Sequence, residues 1–334
     1  EVVDTLMLGF ELFYFDQSVE MTADMLAEFN DFAQTTRQRA VANALDSLIA
    51  PSPLLTELLF FDDPDELRAA MDVLSGEIFA TLGGIMIAAD QRRMDVLLRN
   101  IGRLDSGQGD DGSGTYGLAL GGAKEASARW WVSAFGDRTS GNREEGWYAT
   151  ESELAGWLIG VEKEVGSALL LGLAGGYSGS DSELDALSSK ADVKSWSLGS
   201  YGHGRRGAVS YTVAGFYTWH EIQTDRLVQF GNISDRLTAD YSAGSLQVLM
   251  DAGYDLPLDT GFQVQPFASY GHVAHHHDGF QETGGAAALT GASDTINAGY
   301  TTLGLRGKKR VGQMHFNAMA GWRRCFGDLD PVSN

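Results

Sequence analysis

The chain is poor in the features that usually mark a soluble enzyme or a helical membrane protein. Of its 334 residues a single one is cysteine, Cys325, so no disulfide can form within the chain and a cysteine-based metal site is disfavoured. Basic residues are scarce: 24 Lys and Arg stand against 45 Asp and Glu, and the net charge of -21 repels the phosphates of nucleic acid. No apolar run reaches the ~18 residues of a spanning helix. The best candidate, Ile78 to Ala89, is broken by Gly83 and Gly84. Only 6 prolines interrupt the chain, whereas 42 glycines and 16 phenylalanines suit a glycine- and aromatic-rich β protein. The chain opens at Glu1 with neither an initiator Met nor a secretory signal, and a processed or cut N-terminus is expected.

After about Ala128 the pattern has a period of two. In Ser210 to His220, Tyr211, Val213, Tyr217 and Trp219 share one parity, and Ser210, Thr212, Ala214, Thr218 and His220 share the other. Successive side chains of a strand point to opposite faces, so one face is apolar and the other polar. The same reading sets Leu246, Val248, Met250 and Tyr254 against Gln247, Asp251 and Asp255. It sets Met314, Phe316 and Trp322 against His315, Asn317 and Arg323. In Leu169 to Ser178 the second parity carries Gly172, Ala174 and Gly176, which leaves room for something inside. Phe216 breaks the rule by falling on a polar parity, and Phe267 sits with Gln263, Gln265 and Ser269.

A soluble sandwich also alternates, so the connections decide. Polar segments at Arg138 to Ser152, Ser178 to Ala191, Ile222 to Arg236 and Asp278 to Asn297 read as long loops. Between them fall short turns near Glu162 to Gly166, His203 to Gly207, Leu256 to Gly261 and Arg310 to Gly312. A membrane supplies a plane that makes the two ends of the strands differ, and an outer-membrane β-barrel has long loops on one side and tight turns on the other. The fold class expected is all-β, a transmembrane antiparallel up-and-down barrel, with Tyr177, Tyr211, Trp219, Tyr254, Tyr270 and Trp322 as candidates for its aromatic girdles.

The first third reads differently. Met7 to Phe15 is a β-prone run, expected as the last rung of a larger structure upstream. From Thr36 a helix is predicted on Val41, Leu45 and Leu48, ended by Pro51 and Pro53. Asp63 caps a second helix, with Pro64 in its first position and Leu67, Ala70, Met71 and Leu74 on its buried face. Glu77 to Ile101 forms a helix of about 24 residues, roughly 36 Å, close to the height of a spanning barrel, with Gly102 as its stop. It carries Arg92, Arg93, Asp95, Arg99 and Asn100, which lipid would not tolerate. A polar lumen would accept them, and so would the surface of a small soluble domain; the residues alone leave both readings open.

Several ordered blocks, QRAVANALDSL (Gln38 to Leu48), LSGEIFATLGG (Leu74 to Gly84), WVSAFGDRTSG, LGLAGGYSGS, YTWHEIQTDR, SDRLTADYSAGSLQV and GFQETGGAAALTGASD, resemble the C-terminal translocator of classical type V autotransporters. The resemblance implies a secreted passenger, a helical linker and a barrel of about twelve strands in a Gram-negative outer membrane, with a helix threading the pore. It gives residues 1–32 as the end of the passenger, 33–115 as the linker with its pore helix at 77–101, and 116–334 as the barrel. About nine strands are counted, so an incomplete barrel is expected. The implied partners are outer-membrane lipid, the chain's own passenger, the barrel-assembly machinery and periplasmic chaperones, with a monomeric barrel and no nucleic acid. Predicted pore-helix residues are Arg92, Arg93, Asp95, Arg99 and Asn100; predicted lumen-facing residues are Gln247, Asp251, Asp255, Gln263, Gln265, His315, Asn317 and Arg323. At least one of Arg92, Arg93, Arg99 and Arg103 is expected to pair with a lumenal carboxylate. A porin-like channel or binding barrel is the rival, and it would lack the pore helix.

No catalytic, cofactor or metal constellation is expected. His275, His276 and His277 are adjacent on a strand, so at most the first and third could share a ligand, and no acidic partner has metal spacing. No Gly-x-Ser-x-Gly elbow supports a hydrolytic triad. The resemblance implies that a pore helix can cut itself at an asparagine; Asn100 is the candidate, and its surroundings do not match the motif of the cleaving members.

Overall fold

The computed structural model describes residues 4–48, 52–105, 128–140, 148–166, 168–258, 262–311 and 314–327. The chain begins with a hairpin, β1 (Leu8–Tyr14) and β2 (Val19–Met25), in antiparallel register. The rung expected at Met7 to Phe15 is therefore one arm of a local hairpin. Three helices follow: α1 (Thr36–Asp46), α2 (Pro53–Leu59) and α3 (Pro64–Leu74). Thr35 and Gln38 cap α1 reciprocally, and the Asp63 side chain accepts the Asp65 N–H at the start of α3. Pro53, predicted to end a helix, instead starts α2 behind the Ser52 cap, because the first helical position has no use for an N–H.

Gly76, at φ +63°, turns the chain into α4 (Glu77–Asp105). The helix runs past Gly102, so the predicted stop is overrun; a glycine ends a helix only where the backbone turns left-handed, and no positive φ is seen there. No single helix among the described residues is long and apolar enough to cross a membrane.

The sheet is built from β3 (Ala128–Ser140), β4 (Glu151–Val165), β5 (Leu169–Leu184), β6 (Ser189–Arg206), β7 (Val209–Phe230) and β8 (Ile233–Tyr254). After the short β9 (Leu256–Pro257) come β10 (Phe262–His277), the minor pair β11 (Phe280–Gln281) and β12 (Thr290–Gly291), then β13 (Asp294–Val311) and β14 (Met314–Gly327). The nine long strands pair antiparallel in the order β14-β13-β10-β8-β7-β6-β5-β4-β3, with β3 and β14 as edges among the described residues. The sheet curls around α4: Trp131 of β3, Tyr201 of β6, Leu249 of β8 and Tyr300 of β13 join one core with Met94, Leu97 and Ile101 of the helix.

Two of the expected long loops are strand. Ser178 to Ala191 holds the ends of β5 and β6 around a single 3-10 turn, and Ile222 to Arg236 holds the ends of β7 and β8, which are 22 residues each and joined at Gly231 and Asn232. A membrane strand needs about ten residues, so this hairpin stands well clear of any bilayer. The polar outward residues that suggested loops face water there, while Leu184, Leu187, Val193 and Ile222 face inward onto Ile78, Leu82 and Met86 of α4.

The outer wall marks the boundary. On β7, Val209, Tyr211, Val213, Tyr217 and Trp219 are exposed apolar residues, and at Glu221, Gln223 and Asp225 the same face turns polar. Trp157, Tyr177, Trp196 and Trp219 are direct cross-strand neighbours on β4 to β7, a row of aromatics where the apolar belt ends.

At the extended end, hairpin β1–β2 and helices α1 to α3 share a core with the tip of β7–β8: Met7, Phe29, Leu45, Leu58 and Met71 meet Val228, Ile233 and Leu237. Arg226, fully buried, forks onto Glu282 at 2.7 and 3.0 Å and donates to the Val73 carbonyl at 3.3 Å. Arg37 pairs with Asp72 at 3.2 Å and with Glu77, while Tyr148 donates its N–H to Glu77 at 2.7 Å and its hydroxyl to Asp72 at 3.0 Å. The junction of α3 and α4 is thus gripped from both sides by charge-assisted hydrogen bonds.

Candidate functional site in the lumen

The interior of the curled sheet is filled by α4, apolar at both ends and polar in the middle. Near the extended end the helix packs through Ile78, Leu82 and Met86; toward the tight turns it packs through Met94, Leu97 and Ile101 against Trp131, Leu158, Tyr201, Phe216 and Tyr300. The wall around the lower half is aromatic, which explains why Phe216 and Phe267 occupy the inward parity: both are buried inside, and Arg306 lies 3.8 Å above the Phe267 ring.

Five inward aromatics sit opposite a glycine. Trp131 pairs with Gly160, Tyr201 with Gly172, Phe216 with Gly199, Phe267 with Gly304 and Tyr300 with Gly271. A Cβ on any of these glycines would overlap the ring. The room that Gly172 leaves is therefore taken by a neighbouring strand's tyrosine, which covers the bare backbone and narrows the lumen onto α4. Tyr201 is further tied to Trp131 Nε1 (2.8 Å) and Glu162 (2.7 Å), and Glu162 accepts from Arg129 at 2.8 Å.

Polar contacts hold the middle. Arg93 is buried, pairs with Asp90 one turn back on its own helix, and donates to Thr218 Oγ1 at 2.9 Å on β7 and to Ser178 Oγ at 3.5 Å on β5. Beside it Ser195, His220, Ser245 and His275 form one hydrogen-bonded chain across β6, β7, β8 and β10, with links of 2.8, 2.9 and 2.9 Å. Ser195 and His220 lie at the distance of a nucleophile and its base. Yet the far nitrogen of His220 bonds a second serine, Asp90 is engaged by Arg93, and the group is sealed between wall and helix, so the chain binds strand to strand.

Arg92 reaches the Gly136 carbonyl at 3.5 Å, Arg99 is exposed and donates to the Asp95 carbonyl, and Asn100 is buried. Lumenal Asp251 pairs with Arg306 at 2.7 Å, and Asp255 pairs with Arg205 and accepts from Gln265 at 2.9 Å. Gln247 and Gln265 are buried on the inner face, while Gln263 lies exposed at its end of β10. The side chains of His315 and Asn317 lie outside the described residues; Arg323 faces inward and meets Asp95 at 3.5 Å. Among the described contacts the wall carboxylates Asp251 and Asp255 meet the wall arginines Arg306 and Arg205, and the helix offers an acid, Asp95, to a strand arginine. Of the three adjacent histidines, His275 points inward to Ser245, His276 bonds Thr295 Oγ1 at 2.9 Å, and His277 bonds the Asp278 carbonyl.

A model of the autotransporter beta-domain matches residues 130–334. The chain belongs to this family. Two curated relatives, each named extracellular serine protease and both from Serratia marcescens, are similar to it. One is 31% identical over 294 residues, covering 85% of this chain and 26% of the relative. The other is 29% identical over 319 residues, covering 92% and 28%. The chain therefore spans about a quarter of the length of these relatives. Among solved structures, the translocator domain of the autotransporter NalP from Neisseria meningitidis shares the fold, with a TM-score of 0.56 at 16% identity over 74% of this chain and 81% of that one. As an autotransporter β-domain the chain is placed in the outer membrane, and its belt of exposed Leu, Val, Tyr and Trp is the surface that meets lipid.

Proposed function

We propose that this β-domain is the translocator of its own passenger: the chain's N-terminal part leaves the cell through the sheet-lined lumen, after which α4 remains as its plug. The observation that carries this reading is the continuity of the chain. Residues 4–74 are packed on the tip of β7–β8 at one end, α4 runs down the inside, and β3 starts again at the other end beside Ile101 and Trp131. In this reading the tight turns face the periplasm and the β7–β8 hairpin faces outside. We keep residues 1–32 as the end of the passenger, 33–115 as linker and 116–334 as barrel, with the core shared by Phe29 and Leu45 as reason to treat the first two as one cap on the hairpin. The barrel-assembly machinery and periplasmic chaperones are the partners through which such a sheet would reach the membrane, and the domain itself carries no reaction in this proposal; protease chemistry belongs to the relatives' names.

The test is electrical. In the full protein reconstituted in planar bilayers, removing Glu77–Asp105 should raise single-channel conductance several-fold, because a helix of ~10 Å diameter leaves the lumen. Unchanged conductance would overturn the plug and, with it, the route proposed for the passenger.

A further inference from the structure

The lipid-facing wall is not uniform. Between β3 and β8 a groove of roughly 760 Å³ opens on the outer surface, within the range of small-ligand sites. Its floor is Ser200, Gly202 and Gly215, and its sides are Leu171, Leu173 and Val213. The register makes the groove continuous: Leu171 pairs with Gly202 and Gly202 with Val213, while Leu173 pairs with Ser200 and Ser200 with Gly215. Among the described residues no side chain fills the space over Gly215, where a Cβ would meet nothing closer than the Gln247 carbonyl at 3.8 Å. Elsewhere on this wall a glycine is covered: Gly204 lies under the ring of Tyr211. The groove lies between the Trp157–Trp219 aromatic row and the tight turns, and on one side it reaches Ala128 of the edge strand β3, the cross-strand partner of Lys163.

One charged side chain on the outward parity lines it. Lys163 is exposed and shares the outward face of β4 with Ile159 and Val161. An ammonium on an apolar lipid-facing wall is expensive unless it snorkels to the interface or meets an anion. In a chain of net charge -21 the choice of a cation at this place is specific. Two rows nearer the turns, Arg206 continues the outward face of β6 and is exposed as well.

We propose that the groove binds one acyl chain of an anionic phospholipid, with the headgroup phosphate held by Lys163 toward the tight-turn end. A straight hydrocarbon chain fits a long apolar trough with a bare-backbone floor, where close approach gives dispersion contact along the chain's length. The cation then selects the headgroup, with Arg206 as a second donor.

Native mass spectrometry tests this on the whole protein released from nanodiscs of phosphatidylethanolamine and phosphatidylglycerol in equal amounts. The wild type should retain one phospholipid per barrel, enriched in phosphatidylglycerol. Gly215→Leu, which fills the trough without backbone strain, should cut retention by roughly tenfold, and heat-modifiable migration on gels should show the variant folded. Lys163→Gln should leave retention near wild type and abolish the phosphatidylglycerol preference. No retained lipid in the wild type, equal retention in Gly215→Leu, or an unchanged headgroup preference in Lys163→Gln would each overturn the proposal. Because the assay reads lipid and not conductance, its failure leaves the translocator reading untouched, and the reverse also holds.

Discussion

Asp95 of α4 and Arg323 of β14 stand 3.5 Å apart, and the same guanidinium lies 4.8 Å over the Tyr300 ring and donates to Thr302 at 3.0 Å. One arginine therefore ties the plug to an edge strand and to its neighbour β13, while Arg93 makes the corresponding tie from the helix to the middle of the sheet. The helix is held by a few directed polar contacts within two apolar collars, an arrangement that resists leakage yet leaves each contact individually breakable.

Arg93→Gln should loosen the plug. The substitution leaves Asp90 buried without its partner, at a cost of about 3 kcal/mol, whereas Asp90→Asn combined with Arg93→Gln should recover much of that loss through the coupling between the two. Single-channel recordings should show frequent openings for the single variant and few for the double. Equal gating in the two would refute the pairing.

At the extended end, Arg226→Leu should strand Glu282, which also accepts the Leu289 N–H at 2.9 Å. A buried carboxylate without its arginine costs about 3–5 kcal/mol, enough to release α1 to α3 from the hairpin. Limited proteolysis of outer-membrane vesicles should then cut near Ser75 much faster than in wild type. The idea fails if both are cut alike.

Gly172→Ala should destabilise the wall by about 1–3 kcal/mol, the range for overpacking, because its methyl overlaps Tyr201. Truncating the ring as well, in Gly172→Ala with Tyr201→Ala, should cost less than the two single changes added together. Midpoints of heat-induced gel shift measure this, and strict additivity would argue that the glycine answers some other demand.

Outside the apolar belt, Asp181 and Asp192 face each other across β5 and β6. Their shared hydrogen bond, then burial, then the Asp192 charge raise the Asp181 carboxyl above its ordinary 3.8. A raised folded value means the folded state holds the proton more firmly. Stability from this pair is thus fully present below pH 3.8 and is lost as pH climbs through the raised value. Asp192→Asn should stabilise the protein near neutral pH by on the order of 0.5 kcal/mol after screening, and by nothing at strongly acidic pH. A gain of the same size at both would contradict the assignment.

Orientation can be read by labelling. In a Cys325→Ser background, an impermeant maleimide on intact cells should label Asp185→Cys at the extended end and leave Arg205→Cys near the tight turns unlabelled. The opposite pattern would invert the proposed topology.

Local chemistry made much of this protein legible. The period of two fixed the strands, since a residue such as Tyr217 or Trp219 can face lipid only if Thr218 faces in, and the capping at Asp63 with Pro64 fixed α3 because both act within one turn. Ser178 to Ala191 and Ile222 to Arg236 read as loops because polar outward residues look the same whether a strand has left the membrane or ended. Only the curled sheet decided the rest. Which aromatic covers which glycine, as Tyr201 covers Gly172, depends on a register between strands. Which arginine meets Asp95 depends on how far the sheet wraps the helix. Those are distances between residues far apart in the chain, and a one-dimensional pattern carries the face on which a side chain lies but not the partner that closure brings to it.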